Sequence, residues 1–189
     1  MIVVALKEWA VVCDLLLEGR LVMLMRKGGI HERGGPGVFE LEHPRFALFP
    51  SWAHQQPGMI KDRYRQGVSV LQEPATLTLR GVAEVPRIWQ VADRADIEPL
   101  DDLHCWTADH LDMRFNYRPE RPLYVLAVRT FLLAEPKTIT NTPDYAGCRS
   151  WVPLSEQDAV DDAAAMPVLP DASFHSLIER IDAVLGKSG

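Results

Sequence analysis

The stretch LYVLAVRTFLL, residues 123–133, decides the fold class. Its first half is an almost unbroken apolar run, which is typical of a strand that is covered on both faces. Because side chains alternate along a strand, Leu126 and Val128 should lie on one face, and Val125 and Ala127 on the other. The sequence therefore predicts a central strand with two buried faces.

Outward from this strand, the apolar pattern predicts further strands on both sides and three main helices. Thr107 is a candidate N-cap inside the middle helical segment. The strands are predicted over residues 21–25, 39–48 with a break at His43-Pro44, 75–85, 88–91 and 147–153, and the helices over 6–17, 97–116 and 173–185.

These elements do not alternate regularly as strand and helix, which argues against a doubly wound sheet. The predicted fold class is α+β, a single domain with a mixed or antiparallel curled sheet. An N-terminal helix, a middle helical segment and a C-terminal helix accompany the sheet.

The chain has 189 residues, of which 47% are hydrophobic and 24% charged, and this fits one domain with a sizeable core. We expect a single α+β domain over residues 1–154, an acidic Ala/Pro-rich connector over 155–170, and a C-terminal helix over 171–189 packed on the same domain. No apolar run approaches the roughly 20 residues of a membrane span, and the apolar start lacks the features of a signal peptide. Three cysteines without a CxxC motif do not indicate a disulfide framework. A cytoplasmic protein without a membrane partner is therefore expected.

Charge is distributed unevenly along the chain. Residues 20–66 carry eight Lys/Arg against four acids, whereas residues 152–189 carry seven acids against two bases. The first half therefore indicates an anionic partner. An ordinary solvated surface is the alternative, because the net charge of −6 argues against non-specific binding of nucleic acid.

The stretch RKGGIHERGGPGVFELEHPRFALFPSWAHQ, residues 26–55, mixes basic, acidic and histidine side chains with glycines and short apolar runs. A stretch of this composition is not typical of a buried hydrophobic core. Gly28 and Gly29 follow the cationic residues Arg26 and Lys27. The backbone N–H groups of a glycine turn can bind a phosphate, and the neighbouring positive charges would add to this binding. A simple hairpin turn is the alternative explanation for the two glycines. The P-loop and dinucleotide-binding motifs are absent. The candidate anion-binding residues are Arg26, Lys27, Gly28, Gly29, His43, Arg45, His54, Gln55 and Arg149.

Among these candidates, His43, His54 and Gln55 lie near breaks in apolar strands. They could act as general acid and base or contact phosphate, but histidines at strand ends commonly hydrogen-bond to the backbone. The sequence is compatible with both interpretations, a role in the site and a structural hydrogen bond to the backbone.

Glu40 and Glu42 would share one face of a strand and could hold Mg²⁺ for phosphodiester cleavage. His43 follows them where a nuclease of the restriction-endonuclease type would have a lysine. His104, Cys105 and His110 lack the spacing of a zinc site. We therefore expect no metal site and no cofactor.

Five sequence words occur in order between about Ala5 and Leu154: ALKEWAVVCDLLLEGR, LMRKGGIHE, FELEHPRFALFPSWAHQ, RPLYVLAVRTFLL and YAGCRSWVPL. In combination they resemble the bacterial domain-of-unknown-function family numbered 1802. The resemblance implies no established activity and no catalytic residue. Some relatives are linked with restriction-endonuclease-type domains, so it implies a nucleic-acid defence or restriction-modification context by association.

The leading hypothesis is binding of a phosphate-bearing ligand or nucleic acid in such a context. The alternatives are a metal-dependent phosphodiesterase and a protein-binding accessory subunit, so whether the chain is an enzyme stays open. Arg26 and Lys27 are expected to be exposed at a strand end. Arg149 is expected to face the segment around residues 43–54, where it would meet an anionic ligand or pair with Glu40 or Glu42.

Overall fold

A seven-stranded mixed sheet forms the centre of the fold. The computed structural model describes residues 1–28, 38–68, 72–147 and 149–186. The strands are β1 (Val4–Trp9), β2 (Met23–Arg26), β3 (Arg45–Ser51), β4 (Thr76–Val91), β5 (Leu123–Thr140), β6 (Trp151–Pro153) and β7 (Met166–Pro167). The α-helices are α1 (Ala10–Leu17), α2 (Asp62–Arg65), α3 (Ala108–Asn116) and α4 (Asp171–Leu185), with 3-10 turns at Pro57–Met59, Arg94–Leu103, Pro143–Tyr145 and Glu156–Asp158.

The strand order is β2-β5-β4-β3-β1-β6, and β7 adds to β5. β1 and β3 run parallel, and the other pairs are antiparallel. The register between β4 and β5 shifts between Leu79 and Gly81 and between Glu84 and Arg87. Such bulges bend and twist a strand. The sheet curls, and the predicted α+β fold class is confirmed.

The prediction for the central strand is also confirmed. Leu123, Val125, Leu126 and Ala127 are fully buried, so both faces of β5 are covered. They belong to one apolar cluster that also contains residues of α1 and α4. The strand runs further than its apolar part, to Thr140, because its second half continues to pair with β4.

The N-terminal helix begins later than the sequence predicts. Residues 4–9 form a strand, and the helix starts only at Ala10. Leu6 and Trp9 have the spacing of a helix, but the prediction of a helix here is wrong. The segment is a strand because it pairs parallel with β3 and antiparallel with β6. Gly19 ends the helix at a φ of +68°, as its position indicates.

Two other predicted elements differ in detail. The helical segment over residues 97–116 is divided into a 3-10 helix and α3, and the Thr107 hydroxyl accepts a hydrogen bond from the N–H of His110 at the start of α3. Residues 38–43 are irregular, and the strand predicted there begins only at Arg45.

The acidic connector over residues 155–170 is attached to the rest of the domain by backbone pairing. Val160 is fully buried and bridges Ile2, and β7 pairs with β5. Backbone hydrogen bonds therefore tie this segment to both ends of the sheet. None of the helices in the described part of the chain is long and apolar enough to cross a membrane.

Candidate functional site

A cleft of about 820 Å³ opens beside β1 and β3. The end of β2, α3 and the loops at residues 73–75, 141–147 and 149–150 complete its walls. We call it the basic cleft because, among the described residues, five cationic side chains line it: Lys7, Arg26, Lys27, Arg114 and Arg149.

The pairing of β1 with β3 determines which side chains face the cleft. Lys7 lies opposite Phe49, and Trp9 lies opposite Ser51. Residues two apart on a strand share a face, so these four side chains lie together on the cleft side of the sheet. The Lys7 ammonium lies over the Phe49 ring, 5.3 Å from its centroid, and donates to the carbonyls of Tyr145 and Gly147.

A buried ion pair connects β1 and β2 at this cleft. Arg26 Nη1 donates to Glu8 Oε2 at 2.8 Å, and Nη2 donates to Ser150 Oγ at 2.7 Å. The side chains of Arg26 and Glu8 are only 13% and 4% exposed. The second carboxylate oxygen of Glu8 accepts from the N–H of Trp9 at 2.8 Å. Both carboxylate oxygens of Glu8 therefore accept a hydrogen bond, as a buried charge requires.

Lys27 is buried as well, at 5% exposure. Its ammonium donates to the carbonyl of Phe115 at 3.4 Å. Burial lowers the pKa of Lys27, Glu120 raises it, and Arg114 lowers it further. The expectation that Arg26 and Lys27 are exposed is wrong, because β2 pairs with the central β5 and its end is covered by β1 and α3.

Arg114 is held by a neutral histidine. Its Nε donates to His110 Nε2 at 3.3 Å. Burial, followed by the positive charge of Arg114, lowers the pKa of His110 to about 3, so the ring stays neutral and accepts this bond. Burial also lowers the pKa of Arg114, although the guanidinium remains charged.

Trp9 is the aromatic component of the cleft wall. Its half-buried ring lies edge-on to Trp106, at 5.1 Å between centroids, and to His110 at 5.8 Å. Trp106 and His110 stack on each other at 4.1 Å with an interplanar angle of 12°. Two buried rings therefore fix the orientation of Trp9.

The loop after β3 is held by Glu73 and bears His54. Glu73 Oε1 accepts from the Ser51 hydroxyl and from the N–H groups of Trp52 and Ala53. His54 is exposed, lines the cleft and has a left-handed backbone with φ of +63°. A left-handed backbone is uncommon for a residue other than glycine. Such conformations cluster at binding sites, where they position a side chain for contact with the ligand.

Four of the candidate anion-binding residues therefore meet in the basic cleft, and four do not. Arg26, Lys27, His54 and Arg149 line it. Gly28 packs against Val38, whose carbonyl oxygen would lie 2.1 Å from an added Cβ, and Gly29 lies outside the described residues.

The three remaining candidates have structural partners elsewhere. The His43 ring lies edge-on to Trp151 at 5.2 Å. Arg45 forms ion pairs with Glu84 and Asp162. Gln55 is buried, and its side-chain oxygen accepts from the N–H of Val11 at the start of α1, at 3.1 Å, as a capping residue does.

The segment around Arg149 does pack against the segment at residues 40–46. Trp151 contacts the Phe46 ring at 5.2 Å, and its Nε1 donates to the carbonyl of Glu40 at 3.2 Å. Arg149 itself is exposed, and no ion pair joins it to Glu40 or Glu42 within the ranges that the structure describes.

Glu40 and Glu42 do not have the geometry expected of a metal pair. Both are exposed and lie in an irregular segment, so the expectation that they share a strand face is wrong. Among the described residues, no group of three or more His, Cys, Asp or Glu side chains could hold a metal ion.

The sequence pattern missed Lys7, Trp9 and Arg114. It placed Lys7 and Trp9 in a helix, where Trp9 would belong to the apolar face. The one available signal was the pair Lys7-Glu8, which interrupts an apolar run that would otherwise be core.

Comparisons with known proteins agree on family and fold. The family model described as "Domain of unknown function (DUF1802)" matches residues 5–180, which confirms the resemblance seen in the sequence. The crystal structure of ASCH from Zymomonas mobilis is similar over 82% of this chain and 89% of that chain, with 10% identity and a TM-score of 0.50. Two mutant proteins of the same Zymomonas mobilis ASCH, 11% and 10% identical, cover 82% of this chain and 91% and 89% of theirs, with TM-scores of 0.47 and 0.46. No curated protein matches the sequence.

Proposed function

We propose that this chain, which belongs to the DUF1802 family, binds nucleic acid in the basic cleft. The observation that supports the proposal is the concentration of five cationic side chains in one concave site of a chain with a net charge of −6. A polymer of closely spaced phosphates is the ligand whose charge complements such a site.

Three of the five cations form no ion pair with a carboxylate of the described residues. Arg26 is balanced by Glu8. In the part of the chain that the structure describes, no ion pair to a carboxylate involves Lys27, Arg114 or Arg149. Of these, Lys27 is buried and Arg114 is half-buried. An anion that enters the cleft would therefore gain attraction with little screening by solvent.

The ASCH-like fold is compatible with nucleic-acid binding. Neither the family model nor the similar crystal structure refers to restriction-modification. The restriction-modification context therefore stays a prediction from the sequence resemblance alone. The metal-dependent phosphodiesterase loses its support, because Glu40 and Glu42 are exposed and do not line the cleft.

Fluorescence anisotropy with labelled single strands of about 15 nucleotides, in EDTA and between about 50 and 200 mM KCl, tests the proposal. Binding should occur without metal and should weaken steeply with salt. Arg149→Ala should weaken binding and lower the slope of log K against log salt by about 0.7 to 0.9, the contribution of one phosphate contact.

Arg87→Ala is the matched control, because Arg87 is exposed, does not line the cleft and pairs at the surface with Asp182. It should bind like the wild type. Equal effects of the two variants would show that the cleft is not the binding site. The absence of binding to any strand would leave the protein-binding alternative, which a stable partner in pull-down experiments would then favour.

A further inference from the structure

We propose that the basic cleft takes single-stranded nucleic acid and holds one base against Trp9. This inference rests on the proposed function and specifies the form of its ligand. The Trp9 ring lines the cleft together with the cationic side chains, and a site that binds phosphate by charge alone would not need an aromatic ring.

The Trp9 ring is positioned before any ligand arrives. Its neighbours Trp106 and His110 are 4% and 3% exposed and stack on each other, so they act as a rigid support. The planes of both rings are steeply inclined to the plane of the Trp9 ring, at 71° and 64°. A ring held in this way loses little conformational entropy when a ligand stacks on it, and pre-organised groups give the larger part of their contact energy to binding.

The same histidine that supports Trp9 also holds a cation. His110 Nε2 accepts from Arg114 Nε, and Arg114 lines the cleft. Arg114 and Lys27 line the same cleft as Trp9, so a strand with a base stacked on Trp9 would have its phosphates in a cationic site. A cationic groove that also presents an aromatic side chain is typical of sites that bind single strands.

The size and shape of the cleft favour an unpaired base. A volume of about 820 Å³ lies in the range of roughly 300 to 1,000 Å³ that is usual for sites enclosing one small molecule. In a duplex the base faces are covered by their neighbours, and an aromatic side chain reaches them only after the base has left the stack. Trp9 lies in the wall of a concave site and does not project from the surface as an intercalating wedge does.

The test is a double-mutant cycle between Trp9 and the bases of the probe. Single strands of about 10 nucleotides, each with one abasic position moved along the strand, are titrated against the wild type and Trp9→Ala at constant salt. On the intact strand, Trp9→Ala should weaken binding roughly 5- to 150-fold, as the loss of one stacked base does. With the abasic position at the stacked nucleotide, wild type and variant should bind equally.

Two further variants separate stacking from folding. Trp9→Phe keeps an aromatic face and should restore most of the affinity. Tyr117→Ala removes an exposed aromatic ring that does not line the cleft, so it should bind like the wild type. The abasic scan on the wild-type protein requires no variant to fold.

The outcomes distinguish this inference from the proposed function. Salt-dependent binding that is equally tight for single strands, duplexes and every abasic probe would overturn the single-strand inference and leave the proposed function standing. A failure of all probes to bind would overturn both.

Discussion

Arg26 differs from the other cations of the cleft because its positive charge is balanced by the buried carboxylate of Glu8. Its guanidinium bonds to Glu8, to Ser150 and to the carbonyl of Lys7. Arg26→Ala would leave the Glu8 carboxylate buried without its counter-ion, and we expect the free energy of unfolding to fall by about 3–5 kcal/mol. Urea denaturation measures this loss.

The matched control removes both charges of the pair. Arg26→Met combined with Glu8→Gln leaves no buried unpaired charge, so this double variant should be clearly more stable than Arg26→Ala. If the two proteins unfold at the same urea concentration, the pair does not have the structural role that its hydrogen bonds indicate.

His104 and His110 make stability depend on pH. Burial lowers the pKa of His104 to about 4 and that of His110 to about 3, against about 6.5 in the unfolded chain. At these two residues the unfolded state therefore binds more protons below about pH 6.5, so their contribution to the free energy of unfolding is constant above this value and falls as the pH drops towards 4. Each histidine should contribute a slope approaching about 1.4 kcal/mol per pH unit.

Urea midpoints at pH 7, 6 and 5 check this slope. Carboxylates with lowered pKa values, such as Asp101 and Asp162, lose their contribution only below about pH 4, so they do not disturb the measurement. His110→Gln keeps an acceptor for Arg114 but cannot titrate, and it should flatten the pH dependence. An unchanged slope in this variant would exclude His110 as one of the two groups.

At the scale of elements, β5 is the strand on which the sheet depends. Leu126 is fully buried in it, whereas Leu132 on the same strand is 44% exposed. Leu126→Ala should lower the free energy of unfolding by about 2–5 kcal/mol, and Leu132→Ala should cost well under about 1 kcal/mol. Chemical denaturation of the two variants compares them directly, and equal midpoints would show that burial along β5 is misassigned.

The elements that could be predicted from sequence are those whose pattern is local. The apolar run of β5, the periodic face of α4 and the Thr107 cap of α3 each identify their element without reference to the rest of the chain. β1 could not be predicted, because its conformation is fixed by pairing with β3 and β6, which lie far away in sequence. The same reason applies to residues 155–170, whose order comes from contacts with residue 2 and with β5.

The candidate site could be predicted only in part, for a related reason. Residues 26–55 have the composition of a site, and Arg26, Lys27 and His54 from this stretch do line the cleft. The sheet order brings β1, α3 and the loop around Arg149 to the same place, and no spacing in the sequence encodes that meeting. Arg45 and Gln55 were equally attractive by composition, but neither lines the cleft, because they serve an ion-pair cluster and a helix cap.

At the scale of the whole molecule, the basic cleft contrasts with the acidic C-terminal part of the chain. Seven acids and two bases lie between residues 152 and 189. None of the described residues from 152 to 186 lines the cleft, so the cleft attracts a polyanion and the acidic part of the chain does not. Binding of nucleic acid should therefore be confined to the cleft.

Photo-cross-linking tests that claim most directly. A single-stranded RNA of about 10 nucleotides that carries 4-thiouridine is irradiated with the wild-type protein at low salt, and the cross-linked peptides are identified by mass spectrometry. Cross-links are expected on peptides that contain residues 7–9, 51–54 and 141–150, and they should disappear as salt is raised. Cross-links confined to residues 155–186, or spread evenly over the surface, would contradict the assignment of the basic cleft as the nucleic-acid site.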